Sequence, residues 1–266
     1  MLLAIDVGNT QTVLGLLEQS GDDVEVVEHW RVSTDSERTA DEWAVLLDGL
    51  LVRSRGVSMD AVDGVAMCST VPAVLSEMRD MADRVFADLA TVVVEPGVRT
   101  GIPVLVDNPR EVGTDRIVNS LAAVHLYGGP AIVVDFGTAT TFDAVSAAGA
   151  YVGGAIAPGI GISLDALGVR GAQLRKVELS PPRSVIGKNT VEALQSGALY
   201  GFAAQVDGMA ARMAAELADD PDDVAVIATG GLAPLMIGEA RSLARHEPWL
   251  TLIGLRLVWE RNFRGR

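Results

Sequence analysis

One cysteine, Cys68, stands in the whole chain, so an internal disulfide is excluded. It lies in the apolar run Val65-Ala66-Met67-Cys68, which reads as a buried strand. Histidine is nearly as scarce. His29, His125 and His246 share no close ligand spacing with one another or with Cys68, which argues against a zinc site. No apolar run approaches the ~18 residues that a membrane-spanning helix needs. No basic segment followed by a cleavable apolar stretch precedes Leu2-Leu3-Ala4-Ile5-Asp6, so the expectation is a soluble, cytoplasmic protein. Positive charge is in deficit too. A formal net charge of −14 argues against attachment to nucleic acid or to an anionic membrane, since both need a basic surface. It leaves ATP open as a ligand, because phosphates are met locally by backbone N–H groups and by a metal ion.

What is present is an ordinary soluble composition with an excess of one residue. Hydrophobic residues make up 49% and charged residues 21% of the 266 positions, and the 28 glycines exceed the background of roughly 7%. The length suggests about two domains, and the glycines suggest many tight turns.

The sequence also repeats itself. Leu3-Ala4-Ile5-Asp6-Val7-Gly8-Asn9-Thr10-Gln11-Thr12 aligns with Ile132-Val133-Val134-Asp135-Phe136-Gly137-Thr138-Ala139-Thr140-Thr141, with Asp, Gly and the final Thr coinciding. Each copy opens a three-stranded meander. In the first half, residues 13–17 and 24–32 read as strands around a turn at 20–23; in the second, 142–145 and Tyr151-Val152 flank a turn at 146–149 before a glycine-rich exit. Helices are expected over 39–52, from Pro72 to about 86, over 115–126 and over 190–217, with strands at 62–68, 91–94 and 224–228. The last helix would place Val191, Leu194, Ala198, Phe202, Val206, Met209 and Met213 on one stripe, and Gly197 and Gly201 would let another helix approach. The order implies an α/β fold of two duplicated domains, 1–128 and 129–266, meeting at Gly128-Gly129-Pro130 with a cleft between them.

The two Asp-x-Gly turns suit a polyphosphate. Gly8 and Gly137 permit turns that expose backbone N–H groups, and Thr10, Thr12, Thr138, Thr140 and Thr141 supply hydroxyls. Asp6 and Asp135 would repel phosphate unless a cation or ordered water stood between. Thr229-Gly230-Gly231, after a third strand, offers a glycine pair to an adenine or ribose. A separate candidate is Gly113-Thr114-Asp115-Arg116, where Asp115 would act as base for a hydroxyl and Arg116 as clamp for a carboxylate. The alternative is structural: Thr114 or Asp115 caps a helix and Arg116 makes a surface pair.

Taken together, Asp6-Val7-Gly8-Asn9-Thr10, Gly113-Thr114-Asp115-Arg116, the stretch from Asp135 to Thr141, Gly153-Gly154-Ala155-Ile156-Ala157-Pro158-Gly159 and Gly187-Lys188-Asn189-Thr190 resemble the type III pantothenate kinases along nearly the whole chain. These belong to the superfamily of acetate and sugar kinases, heat-shock chaperones and actin. The resemblance implies two ribonuclease H-like (actin-like ATPase) domains and transfer of the ATP γ-phosphoryl group to pantothenate, giving 4'-phosphopantothenate, the first step toward coenzyme A. It makes Asp115 the proton acceptor. Gly113, Thr114, Asp115, Arg116 and Thr190 become substrate contacts. Asp6, Val7, Gly8, Asn9, Thr10, Gln11, Thr12, Val13 and Thr138 become ATP contacts, with Asp6 holding Mg²⁺ through water. Asp135 becomes the ligand of a monovalent cation, K⁺ or NH₄⁺. The resemblance also implies a homodimer. One departure stands out: some members carry Tyr nine residues before the base, where this chain has Val106, which removes a hydroxyl from the substrate wall. A kinase for another small hydroxyl compound, or a silent ATP-binding regulator on the same fold, is the competing reading.

Overall fold

The computed structural model describes residues 1–20, 23–55, 57–170 and 177–264. The strands and helices in chain order are β1 (Leu2–Val7), β2 (Gln11–Ser20), β3 (Asp23–Ser33), α1 (Ala40–Arg55), β4 (Gly64–Ser69), α2 (Pro72–Val85), β5 (Ala90–Val93), α3 (Thr114–Tyr127), β6 (Ala131–Phe136), β7 (Ala139–Val145), β8 (Tyr151–Pro158), α4 (Ile160–Arg170), α5 (Thr190–Leu217), β9 (Ala225–Thr229), α6 (Ala233–Met236), β10 (Arg245–His246) and α7 (Leu250–Phe263). The expected turn at 20–23 lies partly outside the described residues.

The two sheets repeat one topology. The first runs β3-β2-β1-β4-β5 and the second β8-β7-β6-β9-β10; in each, the first three strands form an antiparallel meander and the other two join in parallel. This is the duplication that the repeat implied, in the ribonuclease H-like form that the resemblance implied. β1 and β6 sit centrally, covered on both faces, which is why Leu-Leu-Ala-Ile and Ala-Ile-Val-Val run without alternation.

The units are not contiguous in sequence. One comprises Met1–Ile102, Asn108–Ala122 and Trp249–Arg266; the other Pro103–Asp107 and Ala123–Pro248. A single division after residue 128 therefore differs from the compact units, chiefly because α7, last in the chain, returns to the first sheet. Glycines make that return possible. A Cβ on Gly64 would fall 2.4 Å from the Trp259 ring, one on Gly15 would fall 2.6 Å from Leu252, and one on Gly254 would fall 2.2 Å from the Val118 carbonyl. Trp259 Nε1 donates to the Ala90 carbonyl, and the buried Arg256 guanidinium reaches the Leu17 carbonyl and Gln19. The other face of this sheet packs on α1 and α2, where Trp43, Leu47, Leu51, Val74 and Met78 join Leu3, Ile5, Val7, Val65 and Met67. Each such large side chain contributes about 1.5–3 kcal/mol by leaving water.

In the second unit, Pro103 and Leu105 hydrogen-bond to both backbone groups of Tyr151, which ties 103–107 to β8. The glycine-rich exit expected after Tyr151-Val152 is itself strand: β8 pairs with β7 through a register shift at Ala144/Val145, and Gly153 takes φ +127° beside it. On α5 the buried line runs through Ala198, Leu199, Ala203, Val206, Ala210 and Ala214, rotated from the expected stripe. Small residues face the sheet because it lies close, while Phe202, Met209 and Met213 pack along the sides and Val191 is exposed. A Cβ on Gly197 or Gly201 would meet open space. No helix among the described residues is long and apolar enough to cross a membrane.

Candidate active site

In the first unit, each strand of the meander contributes to one turn. Gly8 N–H donates to the Gln11 carbonyl at 3.1 Å, closing the loop between β1 and β2. A residue absent from the sequence reading then holds it from just past β3: Thr34 Oγ1 donates to the Gly8 carbonyl at 2.7 Å, lies 2.9 Å from the buried Thr12 hydroxyl, and its N–H donates to the Thr10 carbonyl. Just past β4, Thr70 N–H donates to the Val7 carbonyl, and Asn9 Nδ2 donates to Thr70 Oγ1.

Asp6 lies at the exit of β1, half-buried, between Val13 of β2 and Cys68 of β4 in sheet register. Cys68 Sγ donates to Asp6 Oδ1 at 3.4 Å, and burial pushes that thiol well up, with Asp6 and Asp115 adding to the rise. The expectation of a buried strand cysteine holds, and it omits this contact.

Asp115 reaches the same place from α3. The helix is anchored by Thr114 Oγ1, which donates to the Ser69 carbonyl at 3.3 Å, so the end of β4 sets where α3 begins. Asp115 Oδ1 accepts the Arg116 N–H at 2.9 Å, and a Cβ on Gly113 would fall 2.5 Å from that oxygen. α3 starts at Thr114, so Asp115 sits inside its first turn and not at the cap weighed for it, and Gly113 makes room for its carboxylate. The two carboxylates feel each other. Burial, and after it the Asp115 charge, raise Asp6 to about 7, against the Cys68 hydrogen bond and Arg31. Burial also raises Asp115, opposed by the Arg116 N–H and guanidinium. Two carboxylates held above their ordinary range define a place that a divalent cation would relieve, and their oxygens suit Mg²⁺.

In the second unit the turn is one residue shorter. Three residues, Gly137-Thr138-Ala139, separate the paired Phe136 and Thr140, where four separate Val7 and Thr12. Thr140 is thus the partner in place of Thr12, and the sequence alignment that equated Thr12 with Thr141 shifts by one. Gly137 N–H donates to the Ala139 carbonyl at 3.0 Å. Gly159 closes beneath the turn, its N–H donating to the Thr138 carbonyl and its Cα so close that a Cβ would lie 2.2 Å from that oxygen. Asp135 pairs in register with Thr229 and Thr141. Gly230, at φ +90°, packs so tightly that a Cβ would lie 2.4 Å from Asp135 Oδ1. The pair after β9 thus braces a carboxylate, a use that its reading as an adenine or ribose platform did not foresee. Carboxylate and threonine oxygens form a donor set suited to a hard monovalent cation.

Thr190 opens α5 in this unit, exposed. Its helix begins with reciprocal caps: Asn189 Oδ1 accepts the Glu192 N–H at 3.0 Å and Glu192 accepts the Lys188 N–H at 3.0 Å. Gly187 fits against this turn, where a Cβ would fall 2.4 Å from Ala193 N. Val106 lies beside Gly153, whose Cβ would be 4.0 Å from Val106 Cγ1. The structure therefore assembles residues 6–13 with residues 113–116 in one unit, and Asp135 with the Thr138 turn in the other.

Against known proteins, a family model described as type III pantothenate kinase matches residues 2–212. Curated proteins of that name are 68% identical over 265 residues in Streptomyces avermitilis, covering 98% of both chains, and 64% identical over 262 residues in Thermobifida fusca, covering 98% of this chain and 100% of that one. Among solved structures, a conserved putative Baf family transcriptional activator from Campylobacter jejuni superimposes with TM-score 0.61 at 16% identity, covering 98% of each chain. A putative 2-dehydro-3-deoxygalactonokinase from Sinorhizobium meliloti does so with TM-score 0.53 at 15% identity, covering 99% of each. At such identities these two carry the fold alone.

Proposed function

The chain belongs to the type III pantothenate kinases, and we propose that it phosphorylates pantothenate from ATP to 4'-phosphopantothenate, opening coenzyme A synthesis, with Asp115 as base. The observation that carries the role of Asp115 is its position: a carboxylate at the start of α3, raised by burial and electrostatically coupled to Asp6. A raised base holds a proton better as the hydroxyl ionises. The acceptor oxygen of pantothenate bonds to the γ-phosphorus while the bond from that phosphorus to the bridging oxygen breaks. The hydroxyl proton passes to Asp115, and ADP leaves with the electron pair. Such transfers are loose, so orientation of the hydroxyl matters as much as its deprotonation.

The remaining roles follow the same reading. Gly113, Thr114, Arg116 and Thr190 bind pantothenate, with Arg116 facing its carboxylate. Residues 6–13 and Thr138 bind ATP, and backbone N–H groups at the two turns meet phosphate oxygens. Asp6 holds Mg²⁺ through water, and Asp135 holds a monovalent cation. A homodimer is supported by the exposed apolar side chains of the second unit, among them Ile156 of edge strand β8, Ile162, Leu167 and Val169 of α4, and Val185 and Ile186.

The test is ADP release with pantothenate as acceptor, in potassium and in sodium. Release that requires both pantothenate and potassium is expected. Equal release with a sugar or acetate would reassign the acceptor, ATP binding without release would indicate a silent regulator, and equal rates in both salts would remove the cation role of Asp135.

A further inference from the structure

The sheet register brings one more charged residue to the Asp6 face. Across the first sheet, Cys68, Asp6, Val13 and Arg31 form a single row, and directly paired residues share a face. The next row along, Ala66, Ala4, Gly15 and His29, fixes which face that is. His29 stacks on Trp249 with ring centroids 4.1 Å apart, and Gly15 lies against Leu252, so this is the face that α7 covers. Two residues farther along β3, Arg31 has the same facing as His29 but is exposed. It forms neither a hydrogen bond nor an ion pair among the described residues, yet its charge acts on Asp6. Two strand spacings, about 10 Å, separate its backbone from that of Asp6, with only Val13 between.

This side of the first unit thus holds two carboxylates, the Arg116 guanidinium, whose charge acts on Asp115, and the exposed Arg31 guanidinium, which pairs with no side chain among the described residues. ATP would add several negative charges there. We propose that Arg31 is a second catalytic residue, whose guanidinium extends over Val13 to contact the γ-phosphoryl oxygens of ATP. The proposal rests on the kinase reading and deepens it. A planar, always-charged donor fork suits the equatorial oxygens of a loose transition state, where charge gathers as the phosphoryl group moves.

Arg31→Met and Arg31→Lys test it, with Arg84→Met as a control that removes equal charge from an exposed ion pair with Asp41. Calorimetric titration with Mg·ATP and Mg·ADP is the first readout and needs no acceptor. Arg31→Met should lower the ratio of ATP to ADP affinity by roughly tenfold, with Arg31→Lys intermediate and Arg84→Met unchanged. Turnover is the second. Arg31→Met should lose on the order of 10²–10³-fold in kcat with the KM for pantothenate within about threefold, and Arg31→Lys should recover part of the loss. Affinity ratios and kcat within twofold of the parent in Arg31→Met would overturn the proposal. An equal loss of ATP and ADP affinity, accompanied by a fall in Tm and without rescue by lysine, would overturn it too, since that is the mark of a structural role. If the parent protein shows no pantothenate-dependent turnover, the substrate reading fails and the affinity ratio still decides for or against Arg31.

Discussion

The two sheets share a backbone plan and differ in the row that crosses their central carboxylate. In the first, Cys68, Asp6, Val13 and Arg31 lie in line; in the second, Thr229, Asp135, Thr141 and Ile156 do. One row has a buried thiol at one side of the carboxylate and a cation at the far edge. The other has a hydroxyl on each side and ends in an exposed isoleucine. Duplication therefore preserved the carboxylate and the glycine that follows it, while the turn shortened by one residue and the flanking positions diverged. The first carboxylate feels the charge of a second one, Asp115, and of Arg31; the second pairs in register with a threonine on each side and is packed against Gly230. That contrast supports the proposal that phosphoryl transfer belongs to the first row and monovalent-cation binding to the second.

The sharpest way to break the contrast is at Asp115, the carboxylate whose charge raises Asp6. Asp115→Asn keeps the size of the side chain and an oxygen to accept the Arg116 N–H, while removing the proton acceptor. Steady-state kinetics should show kcat reduced about 10²- to 10⁴-fold with the fold intact. Turnover near the parent level would leave Asp115 only its place in the first turn of α3.

A smaller effect is expected from pH. The folded pKa of Asp6 is raised from 3.8 to about 7, chiefly by burial and then by Asp115. The native state therefore holds this proton over a range in which the unfolded chain has lost it. Stability is full below about pH 4 as far as this group is concerned, and falls as pH rises toward 7. The largest possible loss is about 4 kcal/mol, reduced by water at a half-exposed carboxylate. Melting temperatures of the metal- and nucleotide-free protein between pH 4.5 and 8 should slope downward more steeply than those of Asp6→Asn, and Mg·ATP should flatten the difference. Parallel slopes would show that Asp6 carries no such burden, and with it would go the electrostatic distinction between the two rows.

Much of this was legible because it depends on local pattern. The apolar runs ending in Asp6 and Asp135, the proline that starts α2 and the 28-residue span of α5 are all set by neighbours in sequence. What escaped depends on pairing. Thr34 and Arg31 stand more than twenty residues from Asp6, in a stretch without a motif, and only the register of β3 on β2 brings them to the turn. The missing residue in the second turn could not be seen by aligning Asp, Gly and Thr, because hydrogen bonding rather than identity decides that Thr140 corresponds to Thr12. The return of α7 was likewise hidden: its signals, Gly15 and Gly64, lie some two hundred residues from the side chains they admit.

The mildest test contrasts Gly230 with Ser69, which follow Thr229 and Cys68 and so hold corresponding positions after β9 and at the end of β4. Ser69 has a side chain and uses it, accepting the Val71 N–H at 2.9 Å. Gly230 has φ +90° and no space for a Cβ beside Asp135 Oδ1 and Phe136 N. Gly230→Ala should therefore cost about 1–3 kcal/mol in backbone strain and push the Asp135 carboxylate aside. At this chain length that is several degrees in Tm, at roughly 2–4 °C per kcal/mol. Activation by potassium should weaken in Gly230→Ala while the KM for pantothenate holds. Ser69→Ala loses both hydrogen bonds between this hydroxyl and the Val71 backbone, about 1 kcal/mol each, and should leave the potassium response alone. If both variants shift the potassium response equally, the brace is not specific to the second row; if Gly230→Ala leaves it untouched, Asp135 does not bind the cation through the position that Gly230 holds.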